Sequence, residues 1–132
     1  MDFLQSIDAI MQEAADRGLS DRIVVIIGSD FGRTNKYNDD NGKDHWPITS
    51  MMLMGNSKQM ISGNRVIGAT TDLQKAIKVD RNTLAPDPND TNPGSITLTP
   101  AHIHRALRRL AGVDQSSAAL DFALGGEDIN IF

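Results

Sequence analysis

The stretch Ile23-Val24-Val25-Ile26-Ile27-Gly28-Ser29-Asp30-Phe31-Gly32-Arg33 decides the fold. Five β-branched residues in a row, without polar alternation, suit a strand buried on both faces, as in a parallel sheet. Gly28 and Gly32 flank the turn after it and permit close backbone approach. Upstream, Phe3, Leu4, Ile7, Ile10, Met11 and Ala14 recur at spacings of three and four and predict an amphipathic helix over residues 2–17. Asp2 is placed to cap its start and Gly18 to end it. A helix feeding a buried strand through a short loop is half of a βαβ unit. The expected class is therefore α/β, a partial and mostly parallel sheet with flanking helices.

Downstream, Met51-Met52-Leu53-Met54 before Gly55 predicts a second strand, and Val66-Ile67 before Gly68 a short one. Pro86, Pro88 and Pro93 mark residues 80–95 as a loop, long enough to suggest a functional reason. Thr99, Pro100 and Gly112 delimit a helix from Pro100 to Ala111. Its buried stripe is Ile103, Ala106, Leu107 and Leu110, which leaves Arg105, Arg108 and Arg109 on a solvated face. His102 and His104 alternate and so point to different faces, as surface or partly buried side chains. The tail from Val113 to Phe132 has weak periodicity.

Composition narrows the function. The 132 residues include no Cys, which excludes disulfides, CxxC zinc sites and a thiol nucleophile. A net charge of −4 argues against a nucleic-acid partner. The apolar run from Ile23 to Ile27 is too short to span a bilayer, so no membrane partner is expected. The length suits a single domain over residues 1–132. A calcium loop at Tyr37–Ile48 fails at its first and last ligand positions, and no GxGxxG, P-loop or GxSxG is present.

Ligands of α/β sheets bind at the carboxyl ends of strands, where this strand delivers Asp30. His45 follows fifteen positions later, next to Asp44. Asp30, Asp44 and His45 suit a divalent metal such as zinc, manganese or calcium. The plainer reading is that Asp30 caps a turn and Asp44 bonds backbone amides. Arg33 and Lys43 flank these residues as contacts for an anionic small-molecule ester, or as solvated loop charges.

The paired motifs Ser29-Asp30-Phe31-Gly32-Arg33-Thr34 and Gly42-Lys43-Asp44-His45-Trp46-Pro47 resemble the domain-of-unknown-function 1501 family, within the alkaline phosphatase and sulfatase-like superfamily. Val66–Thr70, Leu98-Thr99-Pro100 and Leu110–Asp114 agree further. The resemblance implies the C-terminal portion of an alkaline phosphatase-like fold, with Asp30 and His45 as metal ligands and Asp44 beside them. It implies phosphate or sulfate ester hydrolysis by a longer parent, exported or periplasmic where the family's twin-arginine signal is carried. Phe31 stands where metal-dependent relatives carry a His, and the nucleophile segment lies outside this chain. Two expectations follow. The chain alone is an inactive part of a metal-dependent hydrolase, or it is a non-catalytic interaction or structural domain. A truncated sheet edge also predicts self-association.

Overall fold

The computed structural model describes residues 2–57 and 60–132. The chain is α/β, with small antiparallel sheets and a few helices, and it divides into two compact units. The first unit takes residues up to Asp30 and Thr49–Asn64. The second takes Phe31–Ile48 and Arg65–Phe132.

In the first unit, helix α1 spans Phe3–Asp16. Asp2 Oδ1 accepts the Gln5 amide at 2.9 Å, and Gln5 Oε1 accepts the Asp2 amide at 3.1 Å, a reciprocal cap. At the other end Gly18 adopts φ +66°. Its amide donates to Ala15 O, and that of Leu19 to Ala14 O, which satisfies the last carbonyls. The apolar stripe is only partly covered: Ile7 and Ala14 are buried, whereas Phe3, Leu4 and Ile10 are exposed. Strand β1 (Val24–Ile27) pairs with β4 (Met52–Gly55), Val24 opposite Gly55 and Ile27 opposite Met52.

That pairing is antiparallel, as is every strand pair among the described residues, so the mostly parallel sheet is corrected. β-branched residues favour the pleated backbone in either direction, and a continuous apolar run does not encode which. Nor is β1 buried on both faces, for Ile26 is 46% exposed.

In the second unit, β2 (Gly32–Arg33) pairs with β3 (His45–Trp46). A separate sheet is built on β6 (Ala76–Asp80), flanked by β5 (Ala69–Thr70), β7 (Pro86–Asp87) and β8 (Ser95–Ile96). Val66-Ile67 lies just ahead of β5 rather than in a strand. β7 and β8 give the Pro-rich loop strand ends of its own. Within it Asp80 Oδ1 accepts the amides of Asn82 and Thr83, at 2.9 and 2.7 Å. Asp87 accepts those of Thr91 and Asn92, at 3.1 and 3.0 Å, and the Ser95 hydroxyl at 2.8 Å.

Helix α2 (Pro100–Leu110) starts with the Thr99 amide donating to His102 Nδ1 at 3.1 Å. His102 is buried and His104 exposed, as their spacing requires. A short helix, α3 (Ser117–Asp121), follows. The arginines of α2 stay partly solvated, and they also hold the tail. Arg105 Nη1 donates to Leu124 O at 2.9 Å, and its Nη2 lies 2.7 Å from Asp128 Oδ1. Arg108 Nη1 donates to Ala119 O and Phe122 O, at 3.1 and 2.9 Å. Arg109 donates to Ile129 O, and Arg65 to Ile131 O. So held, the tail inserts Ile129 and Ile131 into a core with Leu84 and Ala106, and Ile67, Ile96, Leu98, Ile103 and Phe132 pack around it.

Candidate functional site: the Phe31–Ile48 hairpin

Gly32 opens the hairpin at the one position where only glycine fits: a Cβ there would run into the Ile48 carbonyl. β2 and β3 set Gly32 opposite Trp46 and Arg33 opposite His45. Between them the chain folds around Asn38. Its Oδ1 accepts the amides of Asp40 at 3.1 Å and Gly42 at 2.8 Å, and its Nδ2 donates to Asp44 Oδ1 at 2.8 Å. The Asn38 amide donates to Gly42 O at 2.8 Å, and its carbonyl accepts the Asn41 amide at 3.0 Å. Thr34 and Asp44 exchange further bonds: Thr34 N donates to Asp44 O, and Asp44 N to Thr34 Oγ1. The hairpin backbone thus satisfies much of its own hydrogen-bonding demand. Trp46 Nε1 fastens it by donating to Gln74 O at 2.7 Å.

Four of the five expected site residues lie on this hairpin. Arg33 Nη1 donates to Lys43 O at 2.9 Å, and its guanidinium sits 4.8 Å above the Phe31 ring. Phe31 in turn stacks on the His45 imidazole, with centroids 3.7 Å apart and planes inclined by 24°. Lys43 Nζ lies 5.4 Å from the Tyr37 ring centroid. Asp44 holds Asn38 through one carboxylate oxygen. The fifth residue, Asp30, ends the first segment of the first unit and is exposed, three residues beyond β1.

A zinc centre uses three or four protein ligands. Among the described residues no group of three or more His, Asp or Glu side chains converges closely enough to hold a metal ion. One oxygen of Asp44 is already engaged by Asn38 Nδ2. What the arrangement does visibly is fix a turn and present an Arg–Phe–His stack.

Sequence reasoning missed Asn38 and Phe31 as organising residues. The signal for Asn38 was present, because an Asn followed four residues later by Gly suits a side-chain-closed turn. The stack carried no such signal, since it depends on the register that sets Arg33 opposite His45.

Comparison with known proteins gives one family. The model described as Protein of unknown function (DUF1501) matches residues 2–91, a range that includes all five expected site residues and stops before α2. No curated protein and no solved structure matches the chain.

Proposed function

This chain belongs to the DUF1501 family of proteins of unknown function, and on that premise we propose that it is a non-catalytic interaction or structural domain that performs no ester hydrolysis on its own. The observation that carries this reading is the use made of the candidate ligands. Asp44 holds Asn38 at 2.8 Å, and His45 is stacked beneath Phe31 at 3.7 Å. Both act as parts of a hairpin. The exposed apolar side chains of α1, Phe3, Leu4 and Ile10, support an interaction role, self-association included.

A second reading is favoured by the paired motifs around Asp30 and His45, and by the Asn38 bond that orients Asp44 through one carboxylate oxygen. In it the chain is part of an alkaline phosphatase-like phosphate or sulfate ester hydrolase. Asp30 and His45 are metal ligands there, Asp44 a ligand or positioning group, and Arg33 and Lys43 contacts for the anionic ester. A divalent metal bound there would polarise the ester. The purified 132-residue chain tests the first reading. Its turnover of an aryl phosphate or aryl sulfate is expected to match buffer alone. Robust turnover that is lost in His45→Ala would establish the second reading instead.

A further inference from the structure

Asn41-Gly42 is the sole Asn-Gly pair in the sequence. Asn41 is exposed at the tip of the hairpin and adopts φ +57°, a left-handed conformation that asparagine tolerates better than most residues. A glycine after asparagine leaves the backbone nitrogen open to approach. That nitrogen can attack the Asn41 side chain. In the step, Gly42 N gives up its proton and bonds to Asn41 Cγ, the Cγ–Nδ2 bond breaks, and ammonia departs with the proton. Water then opens the cyclic imide at either carbonyl, which leaves an aspartyl or isoaspartyl residue at position 41. No oxidant or reductant is needed.

The hairpin holds this reaction in check. The nucleophile is already spoken for: Gly42 N donates to Asn38 Oδ1 at 2.8 Å. Two more bonds close the same turn, Asn41 N to Asn38 O at 3.0 Å and Asn38 N to Gly42 O at 2.8 Å. Attack therefore requires the turn to open first. We propose that Asn41-Gly42 is a self-deamidation site that Asn38 guards by capturing the attacking nitrogen. The consequence reaches the candidate site. An isoaspartyl residue adds a main-chain methylene inside the turn, and its carboxylate enters a segment already holding Asp39, Asp40 and Asp44. Asn38 then loses the geometry with which it holds Asp44. Slow deamidation would thus act as a clock on the order of the hairpin.

The test follows deamidation of the full chain in mildly alkaline buffer by peptide mass mapping, with isoaspartate scored separately. The folded chain is expected to react at least about tenfold more slowly than the same chain in urea, the factor that one well-placed hydrogen bond supplies. Asn38→Ala removes the acceptor and should recover most of that factor. Asp44→Ala removes the Asn38–Asp44 bond but keeps the Asn38 acceptor on Gly42 N, and should remain slow, which separates capture of the nitrogen from general loosening. Gly42→Ala should be slower still. A Cβ at position 42 meets nothing closer than Asn38 Oδ1 at 3.5 Å, so the hairpin accommodates it while the attacking nitrogen becomes hindered. Equal acceleration in Asn38→Ala and Asp44→Ala would overturn the proposal. So would a folded chain that deamidates as fast as the unfolded one.

Discussion

The loop from Arg81 to Ile96 and the tail from Phe122 to Phe132 are both largely irregular, and side chains of opposite charge organise them. The loop turns amide N–H groups inward, and Asp80 and Asp87 collect them. The tail's carbonyls are collected by guanidiniums, those of Arg105, Arg108 and Arg109 on α2 and that of Arg65 ahead of β5. An ionised carboxylate only accepts and a guanidinium only donates, so each suits one polarity of backbone. The tail alone adds apolar anchors, Ile129 and Ile131, which are 2% and 7% exposed. Charged side chains set the path of both segments, and apolar burial makes one of them part of the core.

The largest effect is expected where the tail is anchored. Ile129→Ala should cost about 2–5 kcal/mol, as for other buried Ile-to-Ala truncations, read from the urea midpoint of the second unit. An effect no larger than that of Val66→Ala, at a side chain 92% exposed, would break the comparison. Next, Arg105→Ala removes the bonds to Leu124 O and Asp128 from a partly exposed side chain, and should cost about 1 kcal/mol. Amide exchange should quicken across residues 122–128 and stay unchanged across 81–96. Equal acceleration in both segments would show that the tail and the loop are not held separately.

The loop's signature is acid sensitivity. The Asn92 amide, then the Ser95 hydroxyl and the Thr91 amide, hold the Asp87 carboxyl down to about 2. Asp80 is lowered as well, chiefly by the Thr83 amide. A carboxyl depressed in the folded state contributes its full stability above the ordinary carboxylate value. That contribution is lost as pH falls from there toward about 2. Asp87→Asn should flatten the stability–pH curve in that window, followed by a tertiary-structure signal during acid titration. A curve identical to the parent's would remove Asp87 as the loop's organiser.

Local rules read the helices well. Asp2 and Gly18 bound α1, and Thr99 and Gly112 bound α2, because caps act over a few residues and need no tertiary partner. β1 and β4 were also legible as strands, within a residue at each end. Strand direction was not, because Val24–Ile27 has the same propensity in either. β6 and α3 escaped notice, since Ala76–Asp80 mixes charge with apolar residues and Ser117–Asp121 is a single short turn of helix. That Arg105, Arg108 and Arg109 also hold the tail was not legible, because the carbonyls they hold lie up to twenty residues away. At the candidate site, motif spacing marked the right segment, Arg33 to His45. It could not show that Asn38 and Phe31 would engage Asp44 and His45 there, since both contacts depend on the hairpin's register.

The central claim is that Asp44 and His45 serve the hairpin rather than a metal centre. Elemental analysis of the purified chain, after exposure to saturating zinc, manganese or calcium and removal of free ion, tests it most directly. The account predicts no near-stoichiometric metal, both in the parent chain and in Asp30→Ala. Near-stoichiometric metal in the parent, abolished by Asp30→Ala, would contradict it.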